Sequence, residues 1–516
     1  MLIVSVAANE HDSSVAVADD ERVIVVVEAE RLTRVKRGWS DASGLHDLVA
    51  EALRYSGRSP ADVTHWCGTV MGNTLVPPED RRCETTKVMP VSLFGTTVRF
   101  IAVNHHLAHA ASGFFTSPFE SAIIDACDAG GDGRQHAMFR GSRGSRGSSL
   151  EEVGPFDRSR FSGVFYDVCS YYLFKRYLQE GRLMGLAAYG DPDPDGTAWL
   201  EARVEELSTQ PHEVSYHHLD SRFGIDSFAA EDPRCRSFAR SVQTVFEKRR
   251  LDQLSVVADG EDLVLTGGAA LNIHANTRIR EARSAHSRVF VPPCCDDSGQ
   301  SLGALLYVAN VILGIAPRVE LPFLGLGRSD HAGSLSDDVA DQVTSDLLGG
   351  MVVAWHWGRA EIGPRALGHR SLLCSPETVD HRILVSETVK RREPYRPVAP
   401  IILKDHRREW FRGKDESPYM LFASHAEDRA RMYASGAVHA DGTARLQTVD
   451  DGHVLAKVLE RFRAATGVPM LINTSLNGPG EPICQTTADT LRFCRDKPQV
   501  VAYTDGTRWA PGQWLR

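Results

Sequence analysis

The chain opens with three short apolar runs, Leu2 to Ala7, Ser14 to Val17 and Val23 to Val27, separated by polar turns at Asn9 to Asp12 and at residues 19 to 21. Runs this short, rich in Val and bounded by turn formers, read as strands, and turns this tight join antiparallel neighbours. The start of the chain is therefore committed to a β-meander. Helical periodicity follows from about Ala42 to Tyr55. Apolar runs at Thr97 to Val103, Ser121 to Ile124, Asp262 to Thr266 and Val289 to Val291 then alternate with helical stretches. That alternation specifies an α/β fold with a mixed sheet. A long helix is expected at Ser301 to Leu313. The segment after it, Ala316 to Ser336, holds Pro317, Pro322 and several glycines with no period. A domain boundary is placed there, dividing the chain into residues 1–330 and 337–516. The second part repeats the α/β pattern, with apolar runs at Met351 to Trp355, Val398 to Leu403 and Val468 to Ile472. Arg140 to Ser149, built of Arg, Gly and Ser, has no apolar period and reads as a flexible, solvated loop.

Composition narrows the function classes. With 42% hydrophobic and 24% charged residues, the 516-residue chain is a globular protein of two large or three smaller domains. No apolar run reaches the ~18 residues of a membrane span, and the first residues lack a basic stretch leading a long apolar one. A cytoplasmic protein with no membrane partner is expected. The ten cysteines are scattered, apart from Cys294-Cys295, and form no CxxC pair, as suits reduced thiols. A formal charge of -9 repels phosphate backbones and argues against nucleic acid as the partner.

Several strings carry chemistry. In Asn104-His-His-Leu-Ala-His109, followed by Ala-rich sequence, His105 and His109 lie at i and i+4 and stack on one helical face. They are either a pair of metal ligands or histidines of a surface. Ser121 to Ile124 leads into Asp125-Ala-Cys-Asp128-Ala-Gly-Gly-Asp132, which is either a set of acids at a strand end or a plain Asp/Gly hairpin turn. Asp296-Asp297-Ser298 precedes a helix, so Asp297 or Ser298 is a candidate N-cap. Leu263 to Asn272 reads as a strand, a Gly267-Gly268 turn and a helix start, a layout that offers backbone N–H groups to phosphate. Arg182 to Gly190 is apolar and Gly-rich and by itself reads as packing. Further on, Gly363-Pro-Arg365-Ala-Leu-Gly-His-Arg370 and Lys390-Arg-Arg-Glu-Pro-Tyr-Arg396 set Arg and Lys on turn-shaped backbone. This suits bidentate binding of phosphate or carboxylate. Asn473-Thr-Ser475-Leu-Asn477 adds amides and a hydroxyl at a strand end, and together these strings describe an oxyanion and nucleotide pocket.

In this order, His11-Asp-Ser-Ser, Glu28-Ala-Glu-Arg31, His105 to His109, Asp128 to Asp132, Gly267 to Asn272, Asp296 to Gly299, Gly363 to Gly368, Arg392 to Pro397 and Asn473 to Asn477 resemble the O-carbamoyltransferase family of NodU and tobramycin carbamoyltransferase type. The resemblance covers nearly the whole chain. It implies an N-terminal actin/Hsp70-like domain (ASKHA, TsaD-like) and a C-terminal YrdC-like α/β domain. It also implies a reaction in which carbamoyl phosphate and ATP give carbamoyl-adenylate in the second domain, while the first transfers the carbamoyl group to a hydroxyl of a small natural product. By the same resemblance Arg365, Lys390, Arg396, Ser475 and Asn477 hold carbamoyl phosphate and the adenylate-forming centre. Arg182, Gly185, Gly267, Gly268, Asn272, Arg370 and Asn473 contact nucleotide or carbamoyl group, and Lys36 contacts phosphate or carbamoyl. His105, His109, Asp128 and Asp297 are implied as ligands of a divalent metal, Fe2+ by resemblance. His11 is the implied general base for the acceptor hydroxyl, its alternative being a histidine of a structural turn. The chain departs from the pattern at Arg182, where Lys is common, at Arg37, where His is common, and at Ala129, where Gly is usual. Two other readings remain: a threonylcarbamoyl-type tRNA modifier, which calls for a basic stripe, and a non-catalytic nucleotide-binding scaffold.

Overall fold

The structure is a computed structural model that describes residues 1–513 except 10, 39, 72, 145–146, 154–160, 162, 329–334, 414–415 and 512. The division expected between 330 and 337 falls largely outside the described residues. The expected meander forms from β1 (Leu2–Ala7), β2 (Ser14–Asp19) and β3 (Val23–Glu28), paired antiparallel. All six residues of β1 are buried, because helices cover both faces of the sheet, which explains an unbroken apolar run in place of strict alternation. The sheet is completed by β4 (His65–Gly68), β5 (Thr86–Leu93) and β6 (Thr96–Val103) in the order β3-β2-β1-β4-β6-β5, with β1, β4 and β6 parallel.

A second sheet is built from β7 (Ser121–Gly131), β8 (Arg134–Gly144), β9 (Gly147–Glu152), β10 (Leu263–Thr266) and β11 (Val289–Phe290) in the order β11-β10-β7-β8-β9. Its antiparallel β7, β8 and β9 form a meander, with β10 parallel to β7 and β11 parallel to β10. Apart from the edge strand β5, this repeats the order and directions of the first sheet. The repeat supports the actin/Hsp70-like plan. Between the two sheets, helices His105–Thr116 and Gln300–Tyr307 share one apolar core, in which Phe114, Leu302 and Leu305 are fully buried. The two helices approach so closely that a Cβ on Gly303 would lie 1.9 Å from the Ala108 carbonyl oxygen. The helix expected at Ser301 to Leu313 continues from Gln300–Tyr307 through a π-helical turn, Val308–Ile312.

Two local expectations are corrected. The Arg-Gly-Ser stretch is a β-hairpin arm of β8 and β9 rather than a flexible loop. Two of its arginines are engaged, residues 145–146 lying outside the described ones: Arg143 donates to the carbonyls of Phe114, Ser117 and Phe119, and Arg140 pairs with Glu261 at 2.6 Å. Backbone pairing and bonds from Arg supply what the missing apolar period could not. Of the acids after Ile124, Asp125 and Asp128 stand within β7, and Asp132 lies in the hairpin turn that follows it. The strand runs on to Gly131 through an irregularity between Cys127 and Gly131, and the chain reverses at Asp132-Gly133, both with positive φ.

The C-terminal part is built on a seven-stranded mixed sheet, ordered β18-β14-β19-β13-β12-β20-β21. Its strands are β12 (Val352–His356), β13 (Arg370–Cys374), β14 (Ala399–Leu403), β18 (Gln447–Val449), β19 (Met470–Ser475), β20 (Val500–Thr504) and β21 (Thr507–Trp509). A small sheet of β15 (Phe411–Arg412), β16 (Ala423–Ala426) and β17 (Thr443–Arg445) flanks it. All ten cysteines are free and buried.

Candidate active site

Asn104 caps the helix His105–Thr116 by accepting from the Leu107 N–H. The helix therefore starts at His105, and both imidazoles of the i, i+4 pair emerge on its first turns. They meet Asp128 from the irregular end of β7 and Asp297 from the turn before Gln300. His109 Nε2 lies 3.0 Å from Asp128 Oδ2 and 3.2 Å from Asp297 Oδ1, and His105 Nε2 lies 3.5 Å from each. One donor atom from each residue falls within 4.8 Å of the others. The N-cap alternative for Asp297 fails, since no side chain caps either the 3-10 turn or the helix after it. Its buried Oδ1 has no hydrogen-bond partner, an arrangement a cation would satisfy. Burial opposes the charge of Asp128, but His105 and His109 hold its carboxyl well below the usual range. Against the same burial, Asp128 and Asp297 raise His109 to about 9. Two imidazoles and two carboxylates with donor atoms this close together fit a divalent metal. Gly131 is required here: a Cβ would stand 2.2 Å from the His105 ring.

His11 flanks this cluster. Its Nδ1 is 3.0 Å from Asp12 and 3.8 Å from Asp297. The hydrogen bond to Asp12, then the charges of Asp297 and Asp12 working against burial, raise it to about 9.

The C-terminal cations converge as well. Lys390 is buried, and its Nζ donates to Asn477 Oδ1 at 2.6 Å, to Asn477 O at 3.0 Å and to the backbone oxygen of Ser475. Burial, with Arg392 and Lys36 alongside, pushes its ammonium well down. Arg392 donates to Thr474 Oγ1 at 3.1 Å and to Ser475 Oγ at 3.3 Å. Arg365, Arg392 and Arg445 are each depressed first by burial and then by their arginine neighbours, Arg396 among them, while Arg396 is depressed by burial and by Arg182. Arginines crowded at this density, with buried Nε groups of Arg365 and Arg445 lacking partners, describe a receptor for an anion. Lys36 and Arg37 join the two clusters. The charge of Arg37 reaches His11, Asp296 and Arg365. Lys36 is accessible to solvent yet walled by protein, and burial followed by Arg392, Arg396 and Arg37 lowers it to about 8 against the pull of Glu30.

Other expected site residues serve the framework. Arg370 donates to the carbonyls of Trp357 at 2.7 Å and Gly358 at 2.9 Å, leaving no fork for a ligand. The amide of Asn272 caps the helix Ile273–Ala282 and exchanges hydrogen bonds with Gln243. The Gly267 N–H is taken by Cys295 O, so it does not face phosphate. A Cβ on Gly267 would strike Cys127, and one on Gly268 would lie 2.9 Å from Asp128 Oδ1, so both glycines admit the strand that carries Asp128. Asn473 donates to Gln447 Oε1 and Ala366 O, beside Arg365. Arg182 reaches Glu393 at 2.7 Å and the Tyr395 hydroxyl at 3.1 Å, while Gly185 packs on Tyr395 and Pro397. These two brace the loop of Arg396. Sequence reasoning missed Arg445, a lone Arg on β17, and the pair Asp167 and Glu180. Asp167 is raised to about 7 by burial and Glu180, close to His11 and Arg37. Nothing local marked either.

Residues 93–306 match the family described as Carbamoyltransferase N-terminus, and residues 344–505 match Carbamoyltransferase C-terminus. Nodulation protein NolNO of Sinorhizobium fredii is 31% identical over 93% of this chain and 76% of that protein. A 3'-hydroxymethylcephem-O-carbamoyltransferase of Amycolatopsis lactamdurans is 29% identical over 96% of this chain and 97% of its own. Among solved structures, HypF of T. kodakarensis aligns over 62% of this chain and 49% of its own, with 15% identity and a TM-score of 0.35.

Proposed function

Because the chain belongs to the carbamoyltransferase family, we propose that it is an enzyme that carbamoylates a hydroxyl of a small molecule in two stages. In the first, water cleaves carbamoyl phosphate to carbamate, phosphate and a proton, and a carbamate oxygen attacks the α-phosphorus of ATP, releasing pyrophosphate and leaving carbamoyl-adenylate. Arg365, Arg392, Arg396, Arg445 and Lys390 neutralise the phosphate charge, and Ser475 and Asn477 position Lys390. In the second, the acceptor oxygen attacks the carbamoyl carbon, its proton passes to Nε2 of the neutral form of His11, and AMP leaves; with His11 raised to about 9, that form is the minor one at neutral pH, so this stage quickens as the pH rises toward 9. A mixed anhydride with AMP gives carbamate the leaving group that it lacks by itself.

A divalent metal, Fe2+ by family resemblance, is proposed for His105, His109, Asp128 and Asp297, where it would supply a Lewis acid and an anchor for phosphate. The acceptor belongs to the class of small-molecule alcohols, as the name of the Amycolatopsis enzyme suggests. The observation that carries this reading is that His11, 3.8 Å from Asp297 of the quartet, and Arg365 of the anion cluster both lie within reach of the charge of Arg37, with Lys36 next to it beside Arg392 and Arg396.

The test is to incubate the protein with ATP, carbamoyl phosphate and Fe2+ in the absence of acceptor. Pyrophosphate and carbamoyl-adenylate should form, and Arg396→Ala should abolish both. Failure of the unmodified protein to release pyrophosphate would overturn the adenylate route.

A further inference from the structure

One string of the sequence, Glu28-Ala-Glu-Arg31, takes no part in the chemistry above, yet its side chains are among the most buried charges in the molecule. Glu28 ends β3 and Arg31 lies on the short helix Ala29–Thr33. Glu28 Oε1 accepts from the Gly363 N–H at 2.6 Å, and Glu28 Oε2 accepts from Arg31 Nε at 2.9 Å. Arg31 Nη2 donates to Gly363 O at 2.9 Å, which closes a ring of hydrogen bonds around a single residue of the C-terminal part. Gly363 has φ +87, and a Cβ on it would lie 2.3 Å from Pro293 O. Pro293 begins the turn that delivers Asp297, and Gly363 begins the turn that delivers Arg365. Just beyond the helix, Arg34 donates to Ile483 O at 2.7 Å and Pro482 O at 2.9 Å, in the loop that follows Asn477. Lys36 and Arg37 come next in the chain.

We infer that Glu28 and Arg31 form a clasp that sets the anion cluster in register with the His/Asp quartet, so that the activated carbamoyl group passes between the two centres instead of escaping to water. Both are positioning residues. Neither lies among the groups assigned to phosphate or acceptor. The physical basis is the geometry of the ring: two charged side chains hold both polar atoms of one peptide residue, whose other side is fixed against the turn bearing Asp297. A buried hydrogen-bonded pair of this kind specifies one arrangement and tolerates no partner loss. The inference rests on the two-stage reaction proposed above.

The experiment measures carbamoylated product per pyrophosphate released, with an acceptor alcohol that the unmodified enzyme turns over. Glu28→Gln keeps the shape but cannot accept from Gly363 and Arg31 together. Arg31→Lys keeps the charge but cannot span Glu28 and Gly363 O. In both variants pyrophosphate release should stay within about two-fold of the unmodified enzyme. Product per pyrophosphate should fall at least five-fold, with carbamoyl-adenylate or its hydrolysis products appearing in solution. A ratio unchanged in both folded variants, or an equal loss of both half-reactions, would overturn the clasp. If one variant does not fold, the other decides. An unmodified enzyme that releases no pyrophosphate would instead sink the two-stage reading itself.

Discussion

At the scale of single residues, the site separates into groups that hold charge and groups whose charge is held for them. Asp128 and Asp297 belong to the first kind, and replacing Asp128 with Asn removes a formal charge without changing shape. Bound metal, measured by elemental analysis after dialysis against buffer, should drop from near one per chain to a small fraction for Asp128→Asn and for His109→Ala. Lys36 belongs to the second kind. Lowered from 10.5 to about 8, it is an ammonium at neutral pH and loses its proton just above. A bound phosphate favours the charged form, so anion binding takes up a proton between those two values. Affinity for carbamoyl phosphate should therefore be greatest below pH 8 and weaken as the pH rises through it. Calorimetric titration in buffers of different ionisation enthalpy reads this directly, and Lys36→Met should remove the proton uptake. Of these residues the His105/His109 pair was legible from its spacing as two imidazoles on one helical face, its role as ligands coming from the resemblance. Asp297 was not, because a carboxylate before a helix fits an N-cap equally well, and only its distance from His109 separates the two roles.

At the scale of elements, two strands show how packing dictates sequence. β7 carries the proposed metal ligand Asp128, and its end bends close enough to the helix at His105 that position 131 admits no side chain. Gly131→Ala should displace the His105 imidazole and cut metal content several-fold while the circular dichroism spectrum stays that of the native fold. β7 also carries Asp125, fully buried and bonded to Arg250 and to His136 Nε2 at 2.8 Å. Although burial opposes the charge, Arg250 and His136 lower Asp125 from 3.8 to about 2. A depressed carboxyl stabilises the fold above the unfolded value, and that contribution is lost as the pH falls from about 4 through about 2. Arg250→Met strands Asp125 without its partner and should cost about 3–5 kcal/mol in denaturant melts at pH 7. Elements with a strong apolar period were legible: the meander, the helix at Ala42–Tyr55 and strands β12, β14 and β19 of the C-terminal sheet match their sequence patterns. The hairpin of β8 and β9 was not, because its stability comes from backbone pairing and from Arg143 bonding carbonyls elsewhere, neither of which leaves a period.

At the scale of the whole molecule, the N- and C-terminal parts are tied by more than the chain between them. Arg359 donates to the carbonyls of Ile24 at 2.7 Å, Leu324 at 2.6 Å and Gly325 at 3.1 Å, so one side chain bridges β3 and the segment leading into the C-terminal part. Asn276 and Thr277 bond Leu421 and Ala423, and Arg182 bonds Glu393. Thermal unfolding should accordingly be a single cooperative transition in calorimetry. Arg359→Ala, which leaves three carbonyls without their donor, should lower stability by about 2–4 kcal/mol and broaden or split the transition. Two well-separated transitions in the unmodified protein would show that the parts are joined only by the chain.

By itself the sequence determined the class of the fold, the meander that begins it, the helical face that presents His105 and His109, and the family to which the ordered motifs belong. These rest on periodicity and on residue types at short spacing, which the chain carries locally. Tertiary structure alone decided that the two sheets of the N-terminal part repeat one topology, a repeat with no counterpart in residue identity because strand order depends on pairing and not on side-chain type. The resemblance implied that Asp128 and Asp297 join the histidines, and tertiary structure brought them there; it alone decided that Arg445 joins the anion cluster and that Arg370 and Asn272 are spent on the framework. In each of these cases the role of a polar side chain is set by which distant group reaches it first, and hydrogen-bond partners so remote in the chain are chosen only when the core has packed.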